Sequence, residues 1–276
     1  MRILVIDDYV ESELAIAYVL RDTDHVVAGA RDPVQLPNVI ADEEPFDLAL
    51  VDMIFADCPQ TGLGALRALR ELSPDTECVV RCADDEENRL LHLLAAFSFF
   101  TPLALMPRSE NPAAIKPLLD ALQRGEAVAS SADQYRHYGP PPAPLDMLLR
   151  NETDLRIWQE LTWFDKRPDI ARASFVSSSA VDHFIGAMYP VVEGLQTRFR
   201  DAFPVSTTGA AQEHAHNTPL IRLAHFARVH QGFFRDPDLV ALLEGRWGNK
   251  TKTLSAASAG VRKARRLGGR RGGDRG

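Results

Sequence analysis

Residues 46–53, which read Phe-Asp-Leu-Ala-Leu-Val-Asp-Met, decide the fold of this chain. The apolar run 48–51 is short and continuous, as is typical of a strand buried on both faces of a parallel sheet. Asp52 follows this run directly, so a carboxylate is expected at the carboxyl end of the strand. In open α/β sheets, ligands bind at that edge.

The N-terminus repeats the pattern. Residues 2–6, Arg-Ile-Leu-Val-Ile, predict a second apolar strand, and Asp7 and Asp8 follow it. Two neighbouring parallel strands that end in this way bring three carboxylates into one crevice. Such a cluster is costly without a cation, and oxygen ligands of this kind suit Mg²⁺. The alternative, that Asp7 and Asp8 only cap the first helix, leaves Asp52 unexplained.

Strand and helix patterns alternate through the first 122 residues, as in an α/β domain. Five βα repeats with right-handed crossovers predict a doubly wound sheet in flavodoxin-like order. The strands are expected at residues 2–6, 25–28, 47–51, 76–81 and 102–106, and the helices at 11–20, 33–41, 62–72, 86–97 and 112–122.

Three short motifs, Ile6-Asp7-Asp8, Val51-Asp52-Met53 and Gly62-Leu63, resemble in this order the receiver domain of two-component response regulators. The resemblance covers roughly residues 1–124. It implies that Asp52 accepts a phosphoryl group from a histidine kinase. It also implies that Asp8, Asp52 and the carbonyl of Ile54 hold Mg²⁺, with Asp7 helping through a water molecule.

Two positions depart from the receiver pattern. Cys82 stands at the end of the fourth strand, where the family has Thr or Ser to hydrogen-bond the phosphoryl group, and a thiol is a weak donor. Arg108 stands where the family has Lys after the fifth strand; Arg can still pair with a phosphoryl group, with a different geometry. An atypical receiver that does not depend on phosphorylation is therefore the alternative.

Composition sets the wider limits. The chain of 276 residues is 45% hydrophobic and suggests two domains plus tails. No apolar run is long enough for a membrane helix, and the N-terminus lacks a signal-peptide pattern. Three cysteines indicate reduced thiols in a cytoplasmic protein. Residues 1–126 hold 10 basic and 23 acidic residues, whereas residues 249–276 hold 9 basic residues and one acidic residue.

These patterns divide the chain into four parts. Residues 1–125 are the predicted receiver domain, and residues 126–144 form a Pro-rich linker with an extended run at 140–142. Residues 145–248 are predicted to be all-α, with a helical extension after residue 196. The basic tail, residues 249–276, is expected to be disordered and to attract nucleic acid nonspecifically; the alternatives are a solubilising tail or a contact with the acidic receiver.

The helical region carries a helix-turn-helix pattern. Asp169-Ile170-Ala171, Phe175-Val176-Ser177 and Ala180-Val181 resemble the effector domains of NarL/LuxR-type regulators over roughly residues 152–195. The second helix of the motif is expected from Ser179 to Tyr189, with Pro190 interrupting it. The resemblance implies that the residues facing the major groove are Ser178, Ser179, Asp182 and His183.

The charge on this helix raises a second alternative. Asp182 stands where the family has Lys or Arg, and a carboxylate is repelled by phosphates unless it accepts a hydrogen bond from cytosine. Arg167 and Arg172 are expected to hold phosphates on the flanks. The alternative is a helix-turn-helix kept only as a packing or interaction scaffold.

We therefore expect a two-component response regulator that forms a homodimer on activation and controls transcription through DNA. A phosphorylation-independent regulator that acts through protein–protein contact is the alternative. Residues 145–248 show no nucleophile–base grouping, phosphate loop or metal motif, so an enzyme is not expected. The histidines at 214, 216, 225 and 230 are interpreted as part of a partly exposed helix face rather than as a metal site.

Overall fold

The computed structural model describes residues 1–56, 58–83, 88–108, 110–126, 131–136, 142–199 and 218–247. Residues Met1–Asp238 form one compact unit, and Leu239–Gly276 form a second. In the part of the chain that is described, no helix is long and apolar enough to cross a membrane. The predicted tail, the run 137–141 of the linker and the histidines at 214 and 216 lie outside the described residues.

A five-stranded parallel sheet forms the centre of the N-terminal region. Its strand order is β2-β1-β3-β4-β5, and all four neighbouring pairs are parallel. This order confirms the flavodoxin-like α/β fold that the sequence predicts. The strands are β1 (Arg2–Ile6), β2 (Val26–Ala30), β3 (Leu48–Asp52), β4 (Glu77–Cys82) and β5 (Ala104–Pro107).

Five helices flank the sheet because their apolar residues recur at helical spacing. On one face, Ile16 of the first helix and Ile115 of the fifth pack against alternate residues of β1 and β3 in a single buried cluster. The third helix contacts β3 and also contacts the second and fourth helices. The helices are α1 (Val10–Leu20), α2 (Leu36–Asp42), α3 (Gly62–Leu72), α4 (Arg89–Phe99) and α5 (Ile115–Gln123).

The chain between the sheet and the helical region is partly described. Residues Ser131–Gln134 form a 3-10 turn. The next residue, Tyr135, is buried and stacks on Phe97 at 6.2 Å and on Phe199 at 5.6 Å between ring centroids. The described part of the predicted linker therefore contacts both regions through one aromatic ring.

The rest of the described chain is helical, which confirms the predicted all-α region. Trp158 lies at its centre, fully buried against Phe184, Phe226 and Phe234. The helices are α6 (Pro144–Leu148), α7 (Glu152–Leu161), α8 (Arg167–Ala173), α9 (Ser178–Arg198), α10 (Pro219–Val229) and α11 (Gln231–Phe234), and residues 237–247 are helical as well.

The helix-turn-helix consists of α8, the turn 174–177 and α9. Ser177 caps α9, since its hydroxyl accepts a hydrogen bond from the Ala180 amide. The prediction that Pro190 interrupts this helix is wrong, because α9 continues through Pro190 to Arg198. Proline removes only one backbone hydrogen bond, and the buried side chains of Val192 and Leu195 hold the following turns in place.

Candidate functional site

Three carboxylates meet at the carboxyl edge of the sheet. β1 and β3 are parallel neighbours with Ile6 opposite Val51, so the residues that follow them are brought together. Ligand oxygens of Asp7, Asp8 and Asp52 all lie within 4.8 Å of one another. Asp7 and Asp52 are 1% exposed, and the Asp8 side chain is 20% exposed. Among the described residues, this is the only cluster of carboxylate, imidazole or thiol groups that could hold a metal ion.

Backbone amides hold two of the carboxylates in place. Asp7 accepts a hydrogen bond from the Tyr9 amide at 3.0 Å. Asp8 reaches across to the loop after β3 and accepts one from the Ala56 amide at 2.8 Å. The loop that carries Ile54 is therefore fixed to the first strand through Asp8.

Two arginines balance most of the negative charge. Arg108, directly after β5, forms an ion pair with Asp52, and its Nη2 atom lies 3.7 Å from Asp7 and 4.0 Å from Asp8. Arg81, opposite Asp52 in β4, lies 3.4 Å from Asp7. Among the described residues, three carboxylates thus face two guanidinium groups.

The buried guanidinium of Arg81 stays charged although burial lowers its pKa. Its side chain is 5% exposed, and burial lowers its pKa from the ordinary value, while Asp7 and Asp52 oppose that shift. The pKa of an arginine is so high that the group stays charged at neutral pH. Arg81 is therefore a permanent internal cation beneath the carboxylates.

The donor set fits Mg²⁺. Oδ1 of Asp8 is buried and has no hydrogen-bond partner, so it offers an open ligand atom beside Asp7 and Asp52. Magnesium prefers a few carboxylate ligands together with waters, as this partly open crevice allows. Ile54, whose carbonyl is the further ligand implied by the resemblance, lies two residues after Asp52. Arg108 contacts the same three carboxylates, so an ion has to compete with its guanidinium.

Cys82 is a buried cysteine at the end of β4. Its carbonyl accepts a hydrogen bond from the Arg108 amide at 2.9 Å, which links the two atypical positions through the backbone. Cys78, earlier on β4, is a half-buried thiol whose pKa burial raises to about 12. Cys78 is therefore a neutral thiol at physiological pH.

Sequence reasoning missed two residues of this site. One is Arg81, whose only signal was a charge at the end of the apolar run 78–80. The other is Tyr9, whose ring lies 4.9 Å from the Arg108 guanidinium in a cation–π contact. Tyr9 therefore contacts Arg108, and Arg81 lies opposite Asp52 on the neighbouring strand.

The residues predicted to contact DNA lie at the start of α9. The side chains of Ser178, Ser179, Asp182 and His183 are exposed, on the described part of the helical region. Arg167 pairs with Asp182 at 2.6 Å, and Arg172 lies 3.7 Å from Asp169. The Asp182 carboxylate is therefore balanced by one of the two arginines that were expected to hold phosphates.

No family model and no curated protein matches the sequence. Solved structures do. The chain is similar to a two-component response regulator RcsB–DNA complex, with 16% identity, 73% of this chain and 98% of that chain covered, and a TM-score of 0.49. The RcsB response regulator of Salmonella typhimurium has 17% identity, coverage of 70% and 93%, and a TM-score of 0.47.

A structure of adenylate cyclase from Rhodopirellula baltica is similar over 44% of this chain and 84% of its own, at 19% identity and a TM-score of 0.38. Identities of 16–19% and TM-scores of 0.38–0.49 do not transfer a function to this chain. Its flavodoxin-like fold is shown by the strand order of its own sheet.

Proposed function

We propose that the chain is a two-component response regulator in which phosphorylation of Asp52 by a histidine kinase controls DNA binding by the helix-turn-helix. Residues 1–125 act as the receiver, 126–144 as the linker, 145–248 as the effector and 249–276 as a basic tail. The observation that carries the proposal is the convergence of Asp7, Asp8 and Asp52 around one point, with the Arg108 guanidinium bound to Asp52.

The chemistry is a transfer between two side chains. A carboxylate oxygen of Asp52 forms a bond to phosphorus, and the bond from phosphorus to the kinase histidine nitrogen breaks, leaving its electron pair on that nitrogen. Mg²⁺, held by Asp7, Asp8, Asp52 and the carbonyl of Ile54, would neutralise the charge that builds up on the phosphoryl oxygens. Arg108 has to leave the Asp52 oxygen that reacts, and its planar guanidinium can then pair with the phosphoryl group.

The effector is proposed to bind DNA through the N-terminal turns of α9. Its Ser and His side chains are exposed there, and the Arg167 partner of Asp182 reduces repulsion from phosphates. A homodimer would place two such helices on one DNA segment. The proposed role requires no enzymatic output.

One observation favours the alternative, a regulator that acts through protein contact without phosphorylation. Arg81 and Arg108 already balance most of the charge of the acidic cluster, so the site is stable without a metal ion or a phosphoryl group. Cys82 also favours this alternative, because its thiol is a weak donor at the position where receivers have Thr or Ser to hydrogen-bond the phosphoryl group.

Phosphorylation of Asp52 is expected to strengthen DNA binding. In a mobility-shift titration with genomic fragments, beryllium fluoride with Mg²⁺ should lower the half-saturating concentration of the wild type about tenfold. Asp52→Asn should abolish that response, because it removes the anionic oxygen that binds beryllium. Asp75→Asn, which changes an exposed aspartate, is the control. Equal affinities with and without beryllium fluoride would favour the phosphorylation-independent alternative.

Arg108 is expected to weaken Mg²⁺ binding. Arg108→Gln removes a cation that contacts three carboxylates, so the affinity for Mg²⁺ should rise about tenfold, or about 1.4 kcal/mol. Isothermal titration with MgCl2 measures this change directly. Arg21→Gln is the control because Arg21 is exposed and contacts Asp22 and the Tyr18 ring on the surface, away from the acidic cluster. An affinity that stays the same in Arg108→Gln would show that the guanidinium does not compete with the ion.

A further inference from the structure

Two buried aspartates at and just before the start of the helical residues 237–247 contact the start of α3. Asp236 is fully buried, and its carboxylate accepts a hydrogen bond from the Thr61 hydroxyl. Asp238 is 7% exposed; it accepts hydrogen bonds from Arg67 at 3.0 Å and from Gln60 at 3.3 Å. These bonds join residues more than 170 positions apart in the sequence. We call them the aspartate contact.

The aspartate contact fits closely against the backbone. A Cβ atom at Gly64, in the first turn of α3, would lie 2.5 Å from the Asp238 carboxylate. The carboxylates therefore lie at the N-terminus of α3, where the helix dipole favours negative charge. Thr61 is itself the N-cap of α3, since its hydroxyl accepts a hydrogen bond from the Leu63 amide. The Thr61 hydroxyl therefore takes part both in the aspartate contact and in the cap of α3.

The start of α3 is also attached to the acidic cluster. The Gly62 amide donates a hydrogen bond to the Met53 carbonyl at 3.0 Å. A Cβ atom at Gly62 would lie 2.4 Å from the Asp52 carbonyl oxygen, so the two backbones touch with no room for a side chain. A displacement of the backbone at Asp52 is therefore passed to Thr61 with no flexible segment between them.

A second contact holds the same C-terminal segment on α4. The carbonyl of Asn88, directly before α4, accepts hydrogen bonds from His230 at 3.3 Å and from His92 at 3.2 Å. The His92 ring meets the Phe233 ring edge-on at 5.3 Å. Within residues 230–238, the two aspartates bind side chains at the start of α3. The buried rings of His230 and Phe233 contact the start of α4.

We propose that the aspartate contact is a closed state that opposes modification of Asp52, and that a phosphoryl group on Asp52 opens it. The inference rests on the proposed function, because it needs Asp52 to be the acceptor. Two states are implied, one with Asp236 bound to Thr61 and one with the two apart. By linkage, whatever weakens the contact strengthens binding at Asp52, and binding at Asp52 weakens the contact by the same factor.

The test uses the full chain and two pairs of variants. Asp238→Asn and Glu71→Gln each remove a carboxylate partner of Arg67, but only Asp238 belongs to the aspartate contact. The pKa of Arg67 is raised chiefly by its hydrogen bond to Glu71, so this control disturbs Arg67 at least as much. Gly64→Ala pushes the Asp238 carboxylate away, whereas Gly194→Ala on α9 meets no atom within 4 Å.

Two quantities are measured for each variant: hydrogen–deuterium exchange of the peptide covering residues 230–236, and the concentration of beryllium fluoride that half-saturates the 19F NMR signal of its adduct with Mg²⁺. Asp238→Asn and Gly64→Ala should exchange about tenfold faster in this peptide and form the adduct at a several-fold lower concentration. Glu71→Gln and Gly194→Ala should match the wild type. The wild type should itself exchange faster in this peptide when the adduct is present.

The failures of the two proposals can be told apart. If the wild type forms no adduct, the phosphoacceptor role of Asp52 is wrong, and the coupling fails with it. If the adduct forms while exchange in residues 230–236 stays constant, or if Asp238→Asn speeds exchange without changing adduct formation, Asp52 is an acceptor but is not coupled to the aspartate contact. Faster exchange in Glu71→Gln would assign the effect to Arg67 alone and would also overturn the coupling.

Discussion

Acidification from pH 7 to pH 5 is expected to lower the free energy of unfolding by about 4 kcal/mol, because two buried histidines must be charged. Burial lowers the pKa of His92 to about 4 and that of His230 to about 3. The groups that face these two rings are the Asn88 carbonyl, the rings of Phe226 and Phe233, the other histidine and His225.

The sign follows from the folded pKa values, which lie below the ordinary value of 6.5. Below that pH the unfolded chain binds more protons than the folded chain. The contribution of the two neutral histidines to the free energy of unfolding is therefore fully present above about pH 6.5. It is lost as the pH falls toward 4, by about 1.4 kcal/mol per unit for each histidine. Urea unfolding at pH 7, 6 and 5 measures the slope.

Variants identify the histidines responsible for this slope. His92→Leu combined with His230→Leu should flatten the slope, since both buried imidazoles are removed and the neighbouring His225 is exposed. His183→Gln changes an exposed histidine on α9 and should leave the slope as it is in the wild type. A slope that persists in the double variant would assign the acid sensitivity to other groups.

Trp158→Ala is expected to cost about 3–5 kcal/mol of unfolding free energy, the usual range for removing a fully buried large aromatic side chain. The Trp158 ring is stacked on Phe234 at 4.9 Å and meets Phe184 edge-on at 5.1 Å. Its indole N–H donates a hydrogen bond to the Leu148 carbonyl at 3.0 Å. The substitution removes the ring at the point where α7, α9 and α11 meet.

Two further variants, measured by urea unfolding, separate the contribution of the indole hydrogen bond from that of the buried ring. Trp158→Phe keeps a ring but leaves the Leu148 carbonyl without its donor, so a loss of about 1–3 kcal/mol is expected. Trp163→Ala removes a ring that is 61% exposed and lies 4.5 Å from the Arg235 guanidinium, and it should cost less than about 1 kcal/mol. A small loss in Trp158→Ala would contradict the central position of this residue.

The sheet could be predicted because its signals are local. Apolar runs such as 48–51 mark strands by themselves, and in a doubly wound sheet the parallel neighbours β1 and β3 bring the acids that follow them to one edge. The positions of Asp7, Asp8 and Asp52 therefore follow from strand ends alone. Pro190 shows the limit of a local rule, since buried residues further along α9 outweigh the hydrogen bond that proline removes.

The arginines of the site and the aspartate contact could not be predicted in this way. Arg81 contacts Asp7 only because β4 lies beside β3, which a charge within an apolar run does not reveal. Asp236 and Asp238 follow a helix and resemble ordinary capping residues, whereas their partners are more than 170 positions earlier. His230 was expected on a partly exposed face and is fully buried, because α4 covers it.

The continuity of α9 through Pro190 has a mechanical consequence. Its 21 residues make one rod of about 32 Å, with the exposed serines at one end. Near the middle, Tyr189 and Glu193 are bonded to Arg222 of α10, and α10 leads directly to His230. We expect a shift of His230 to tilt α9 and displace its N-terminal end, with any bending concentrated at Pro190.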